Sequence, residues 1–315
     1  MSTTLAKAAS SGFHDASAYD AHRPSYPDAA VDAFLGHLIT PGTAADGKQG
    51  AQKIVEIGAG TGKFTEVLSR QAVQAAAKGS GQSLEILAVE PHEQMRAQLA
   101  AKKLPHVTVV DGHGANLSMV QDSAADAVIV AQAFHWFANY EALKEIHRVL
   151  KPGSSVGVVW NIEDYNKPRA WPAKVAWEQG LNDIIYSLAH DGSPRFRDGQ
   201  WQEAFAEVAV PDAAANRPAL YSPLADDRVY WTVQLTPKAL WKRLLTLSQI
   251  ANLPETGPND EQEAAAGNTT QPTSRATVRR RFDAVLARDD VARNDKGEVT
   301  IHALTFFAWA QKLAA

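Results

Sequence analysis

Residues 53–62 run Lys-Ile-Val-Glu-Ile-Gly-Ala-Gly-Thr-Gly, and a second apolar run ends in Glu90-Pro-His. An apolar run that carries an acid near its end and then meets Gly58, Gly60 and Gly62 describes a buried strand, a glycine-rich turn and a helix. Glycine is needed where φ turns positive, or where a bound nucleoside must lie against the backbone. An acid closing the next strand is the usual partner of a ribose diol. The first piece alone is a weak signal. The pair is a strong one.

The chain around this pair alternates short apolar runs with helical stretches. The runs are Lys53–Ile57, Leu84–Val89, Val107–Asp111, Ala125–Ala131 and Ser155–Trp160, with helical patterns over Gly62–Ala77, Glu93–Lys103 and Tyr140–Leu150. Lys151-Pro152-Gly153 is a helix-stop signal ahead of the last run. Continuous apolar strands separated by helices imply a parallel sheet covered on both faces, the doubly wound α/β arrangement.

Outside that alternation the texture changes. Residues 1–12 read as a disordered lead, and Pro27-Asp28 starts a helix with Val31, Phe34, Leu35 and Leu38 on one stripe. Gln71–Ser83, with Gly79-Ser-Gly81, reads as a surface insertion before the second strand, and Pro-rich residues 162–228 show no regular alternation. Arg228–Leu235 and Glu298–Phe307 favour strand, Lys238–Asn252 carries one helical stripe, and Pro254–Ser274 reads as a mobile polar loop. The expected organisation is a single domain over 13–315. Within it, 53–161 forms the cofactor-binding core, 13–38 and 162–297 are lid or substrate-side elements, and 298–308 is a closing strand.

Composition removes several classes of chemistry. With no cysteine, the chain has no disulfide framework, thiolate nucleophile or Cys-based zinc site. Its ten histidines include no HExxH and no pair at helical spacing, so no metal is expected. A net charge of -4 argues against a nucleic-acid footprint. Arg279, Arg280 and Arg281 form the one compact basic run and read as a solvated helix face or loop edge. No apolar stretch is long enough to span a bilayer, and the first residues lack the apolar core of a leader. Cytoplasmic residence is the expectation.

In an open parallel sheet, ligands sit beyond the carboxyl ends of the strands at the switch point, where Glu56, Gly58–Gly62 and Glu90 fall. The Gly-x-Gly-x-Gly spacing is not that of dinucleotide sites, and Lys63-Phe64 replaces the Lys-Ser/Thr of a phosphate-binding loop. A turn that cradles a nucleoside and an amino acid without pyrophosphate fits S-adenosylmethionine. Glu56 with the backbone of Gly58 and Ala59 would face its ammonium-bearing tail, and Glu90 its ribose.

Ala131-Gln-Ala-Phe-His-Trp-Phe137, Ala142-Leu-Lys-Glu-Ile-His-Arg-Val-Leu-Lys-Pro-Gly153 and Val158-Val-Trp-Asn161 resemble the class I S-adenosylmethionine-dependent methyltransferases. The similarity is strongest to the type 11 group that includes trans-aconitate methyltransferase-like proteins. Ala18-Tyr-Asp-Ala-His-Arg-Pro-Ser-Tyr-Pro27 and Val89-Glu-Pro-His-Glu-Gln-Met95 belong to the same pattern. The resemblance covers Phe13 to Asn161 well and thins beyond, to Arg195-Phe196, Gln234-Leu-Thr236 and Leu247-Ser-Gln-Ile250. It implies a Rossmann-like sheet of seven strands, the last antiparallel, with helical lid insertions. Residue by residue it implies a cofactor site of Glu56, Gly58, Gly60, Gly62, Glu90 and Met95, with Met95 on the adenine and Gln132 beside the tail or methyl. Tyr19 and Arg23 would close over the site, Arg23 as partner of a carboxylate. Where the family usually has an acid near the adenine this chain has Ala115, so that contact would pass to backbone groups, His113 or Asn116.

His135 is the candidate catalytic residue, since an imidazole after the fourth strand could take a proton from an acceptor. It could equally pack with Trp136 as a structural residue, because methyl transfer asks for little beyond proximity and orientation. Tyr26, Trp160, Trp171 and Trp177 could line an acceptor pocket, although such residues are more often core. The expected activity is methylation of a small-molecule acceptor at O, N, S or carbon. The alternatives are a non-catalytic S-adenosylmethionine-binding module and an NAD-dependent oxidoreductase, which the glycine spacing disfavours.

Overall fold

The computed structural model describes residues 20–39, 51–77, 84–257, 260–261 and 271–314. Tyr19, the 1–12 lead, the tip of the Gln71–Ser83 stretch and most of the 254–274 loop lie outside them. Helix α1 spans Asp28–Leu38, followed by β1 (Gln52–Ile57), α2 (Lys63–Ala77), β2 (Leu84–Val89), α3 (Glu93–Ala101), β3 (Val107–Val110) and β4 (Ala125–Ala131). Next come α4 (Tyr140–Val149), β5 (Leu150–Glu163), α5 (Ala176–Ser187), α6 (Trp201–Val208) and β6 (Ala225–Leu235). The chain closes with α7 (Pro237–Leu244), α8 (Ser248–Ala251), α9 (Arg275–Leu286) and β7 (Val299–Gln311).

These strands form one seven-stranded sheet in the order β3-β2-β1-β4-β5-β7-β6. β1 pairs in parallel with β2 and β4, β2 with β3, and β4 with β5, while the last strand runs antiparallel. The fold is therefore the doubly wound, Rossmann-like one. The apolar runs become its central strands because both faces are covered: Ile54, Val55, Ala127, Val128, Ile129, Val130, Val156 and Val158 are all withdrawn from solvent. The order reverses between β1 and β4, which makes their carboxyl ends the switch point.

Several sequence expectations change: β6 starts at Ala225, β7 reaches Gln311, and helix α2 takes up residues 71–77 of the expected surface insertion. β5 begins directly at Leu150 instead of Ser155, because Lys151-Pro152-Gly153 is absorbed as a bulge. Ala125 pairs with Leu150 but Ala127 pairs with Ser155, and Gly153 sits at φ 75°. The single helix expected over Lys238–Asn252 is two, α7 and α8. At the break, the Thr246 hydroxyl donates to Arg243 O at 2.6 Å, and Leu247 is extended at ψ 122°.

The chain divides into two compact units. The larger holds Pro24–Asn161, Pro194–Val229 and Thr305–Ala315; the smaller holds Met1–Arg23, Ile162–Ser193 and Tyr230–Leu304. In the larger unit, α1 and α2 bury Val31, Phe34, Leu38, Phe64, Val67 and Leu68 in one cluster with Ile54, Ile129 and Phe307. Tyr26 meets Phe64 edge-on at 4.9 Å, and Phe34 lies 5.3 Å from Phe307. α4 opens on Asn139, whose side chain accepts from Ala142 N at 2.9 Å, and it buries Leu143, Ile146 and Val149. Tyr26, Trp160 and Trp177 are thus core residues, and Trp171 is half-buried.

The smaller unit has its own core. Trp177, Leu181 and Ile185 on α5 meet Leu240 and Leu244 on α7 and Val278, Phe282 and Leu286 on α9, at the four-residue spacing of one helix face. Each such side chain contributes roughly 1.5–3 kcal/mol by leaving water. Here the arginine run departs from a solvated face. Arg281 is only 2% exposed, and Arg279 lies 5.2 Å above the Trp241 ring while pairing with Asp283 at 2.8 Å. Its alkyl stems cover apolar surface.

Candidate functional site

The larger unit contains Glu56, the glycine turn, Glu90, Met95, His113, Gln132 and His135. β1 runs straight into the turn, where Gly58, Gly60 and Gly62 take φ of 70°, 59° and 91°. A Cβ on Gly58 would stand 2.7 Å from Ala133 Cβ, and one on Gly62 would collide with Leu99 Cδ1. Side chains are excluded at both positions, by space as well as by conformation. The end of β2 holds the turn in place: Val89 O accepts from Gly58 N at 2.8 Å and Ala59 N at 3.2 Å. Met95, on α3, is buried, and its Sδ faces Gly60.

The two acids are held differently. Glu90 Oε2 accepts from Gly60 N at 2.8 Å and its Oε1 from His92 N at 2.8 Å, so this carboxylate stitches the turn to the start of α3. Burial pushes the Glu90 carboxyl up, against the lowering effect of those two N–H donors. Glu56 is fully buried. The Thr65 hydroxyl donates to its Oε2 at 2.7 Å, while Oε1 is buried with no hydrogen-bond partner among the described residues. Burial pushes its pKa up to about 8, with the Glu90 charge adding to the rise and the Thr65 bond opposing it. An acid so placed is poised to ionise when a cation arrives.

Across the switch point, β4 is followed by Gln132 at φ 57°, a left-handed conformation that costs a non-glycine residue of order 1–3 kcal/mol. Its N–H donates to Val159 O at 2.8 Å and its side-chain amide to Asn161 O at 3.0 Å. Asn161, at the end of the larger unit's β5, also donates to Ser25 O at 3.1 Å and accepts from the Thr305 hydroxyl at 2.7 Å. Strained backbone and a buried amide hub thus coincide at the carboxyl edge of the sheet. His135 stands in a short 3₁₀ turn (Phe134–Trp136) just beyond, and its Nδ1 accepts from Trp160 Nε1 at 3.2 Å. His113 and Asn116 form an isolated bridge after β3, with Asn116 N donating to His113 O at 2.9 Å. Arg23 belongs to the smaller unit, where it donates to Thr246 O at 3.0 Å. Among the described residues no group of three or more His, Asp or Glu is placed to hold a metal, and no helix is long and apolar enough to cross a membrane.

A methyltransferase-domain family model matches residues 55–158, the span that carries Glu56 through His135. An uncharacterized methyltransferase of Mycobacterium tuberculosis is 31% identical over 223 residues, 71% of this chain and 70% of its own length. The chain belongs to the methyltransferase family. An uncharacterized methyltransferase-like protein of Schizosaccharomyces pombe is 34% identical over 191 residues, and the chain spans 63% of that relative's length. Among solved structures, the YcgJ protein of Bacillus subtilis aligns over 84% of this chain and 93% of its own at 16% identity, with a TM-score of 0.43. A Haemonchus contortus phosphoethanolamine N-methyltransferase, solved with phosphomonomethylethanolamine and S-adenosylhomocysteine, aligns over 95% of this chain and 57% of its own. It does so at 15% identity, with a TM-score of 0.43.

Two residues of this chain, Thr65 and Asn161, have roles that escape sequence reasoning. Thr65 lies in the first turn of α2, and a hydroxyl just past a glycine turn is the one local cue that it could meet the acid before the turn. Asn161 gives no such cue, because its partners are distant in the chain.

Proposed function

We propose that this methyltransferase takes its methyl group from S-adenosylmethionine and delivers it to a small-molecule acceptor. The observation that carries the proposal is the buried, unpartnered Oε1 of Glu56 at the end of β1. S-adenosylmethionine fits the residues present. Its ammonium answers Glu56, the glycine turn leaves room against the backbone, and its ribose diol answers Glu90, whose oxygens have lone pairs beyond the two they commit. Met95 over Gly60 supplies an apolar surface for the adenine, and Gln132 stands at the edge where the methyl would be presented. When bound, S-adenosylmethionine supplies an electrophilic methyl on a cationic sulfur.

The protein's own work is placement. Backbone N–H groups of the turn and of α3 fix Glu90, Thr65 fixes Glu56, and Asn161 fixes Gln132, so the acids need no reorganisation as the ligand enters. Proximity and orientation then account for much of the rate. The Ala18–Pro27 and Ala131–Phe137 motifs support a place beside the trans-aconitate methyltransferase-like proteins. The net charge of -4 supports a small-molecule acceptor over a nucleic acid.

Titration calorimetry with S-adenosylmethionine and S-adenosylhomocysteine tests the donor, and release of S-adenosylhomocysteine in the presence of acceptors tests the activity. Binding of both with turnover is expected. Binding of NAD in their place would sink the proposal, and binding without turnover across a broad acceptor panel would favour a non-catalytic module.

A further inference from the structure

Trp160 Nε1 and His135 Nδ1 are 3.2 Å apart, and the chemistry of the pair fixes the direction of the bond. An indole N–H can only donate, so Nδ1 must present its lone pair. A neutral imidazole with a bare Nδ1 carries its proton on Nε2. Trp160 is not free to turn away. It is 1% exposed on β5 and is packed by Phe196 at 4.9 Å and Trp201 at 4.7 Å between ring centroids. The His135 ring is flanked in turn by Trp136 at 5.2 Å. A general base needs a lone pair aimed at the proton it removes. The one lone pair of this neutral ring is already engaged.

We propose that Trp160 is a positioning residue that fixes His135 as the Nε2–H tautomer and so removes it as a general base for methyl transfer. The inference rests on the methyl-transfer function proposed above and narrows the acceptor. An acceptor that finds no general base in this ring brings its own available electron pair at neutral pH, as an anionic oxygen or an unprotonated amine does. An alcohol that must first lose a proton is not served by this ring. The acceptor's electron pair forms the new bond to the methyl carbon, the carbon–sulfur bond breaks with its pair left on sulfur, and no proton passes to His135.

The test is made on the full chain labelled with ¹⁵N, without ligand, at a pH where the imidazole is neutral. Long-range ¹H–¹⁵N spectra are expected to show His135 Nδ1 unprotonated and Nε2 protonated. A ¹⁵N–¹⁵N coupling across the hydrogen bond is expected to join Trp160 Nε1 to His135 Nδ1. The reverse tautomer, or no such coupling, overturns the proposal. Trp160→Phe is expected to abolish the coupling and shift the ring toward mixed tautomers. A folded Trp160→Phe protein that keeps a pure Nε2–H ring would remove Trp160 as the cause. If that variant does not fold, the wild-type coupling alone decides. Titration of the same wild-type sample with S-adenosylmethionine keeps the two ideas separate: a reversed tautomer with intact binding sinks only the role of Trp160 and His135. Absent binding with the expected tautomer sinks the methyl-donor assignment and, with it, the inference about the methyl acceptor, while the Trp160–His135 tautomer stands.

Discussion

Glu56 in the larger unit and Glu178 in the smaller are both fully buried carboxylates, yet their surroundings differ in kind. Glu178 Oε1 accepts from His302 N at 2.8 Å and its Oε2 faces His302 Nδ1 at 2.7 Å, so α5 and β7 are joined by a matched pair. Glu56 has one hydroxyl on Oε2 and, among the described residues, no hydrogen-bond partner on Oε1. Burial raises both acids, Glu56 to about 8 and Glu178 to about 7. A perturbed buried acid is therefore not in itself the mark of a binding site. What separates the two is whether the fold supplies the partner.

The sharpest way to break that contrast is Glu56→Gln. The amide keeps the Thr65 contact and the volume but cannot ionise. A charged hydrogen bond contributes roughly 1.5–3 kcal/mol, so S-adenosylmethionine affinity is expected to fall about 10- to 150-fold by calorimetry. Thermal stability is expected to hold or rise, because an unpaired buried acid has gone. Unchanged affinity would mean that Glu56 is as structural as Glu178. The wild type carries a second signature. A cation binds the ionised form, and Glu56 is mostly protonated below about 8. Affinity is thus expected to rise from pH 6 to pH 8 with release of a proton, seen as a heat that varies with buffer ionisation enthalpy. Glu56→Gln should abolish this release.

Gly62→Ala comes next in size and acts on stability. At φ 91°, with Leu99 Cδ1 in the way, the added methyl is expected to cost about 1–3 kcal/mol in denaturant unfolding. A neutral result would mean that the turn is pliable, and with it the pre-set cradle. Glu90→Ala should weaken S-adenosylmethionine by an order of magnitude or more while the chain still folds. It also leaves Gly60 N–H and His92 N–H without their acceptor. Unchanged affinity would detach Glu90 from the ribose.

The two units also differ in how much of each is legible in the sequence. The edges of β2 and β4 coincide with their apolar runs, and the positive-φ glycines coincide with the Gly-x-Gly-x-Gly pattern. These features are local: a strand between two helical layers must be apolar throughout, and a turn too tight for Cβ must be glycine. The hub at Asn161 joins Ser25 and Thr305, 136 and 144 residues away in the chain, and no pattern in a short window encodes it. The smaller unit also holds such a distant pairing, Glu178 with His302 at a separation of 124. Its arginine run shows the consequence. Charge alone suggests solvent for Arg281, but one face of α9 carries it inside with Val278, Phe282 and Val285.

Glu178→Gln is the smallest expected effect and the test of the contrast from the other side. The Glu178 pKa rises from 4.5 to about 7 on folding, so between these values the native state binds more protons than the unfolded one. Its contribution to stability is then present at pH 4.5 and declines as pH rises toward 7. The amide resembles the protonated acid, so at pH 5 the variant should lie within about 1 kcal/mol of the wild type by denaturant unfolding. As pH rises to 8 the wild type should lose stability relative to the variant, with a slope of at most one proton. Saturating S-adenosylmethionine should leave that difference unchanged, because the charge of Glu178 is met by His302 whether or not a ligand is bound. A ligand-dependent slope would place Glu178 in the same class as Glu56 and dissolve the distinction between them.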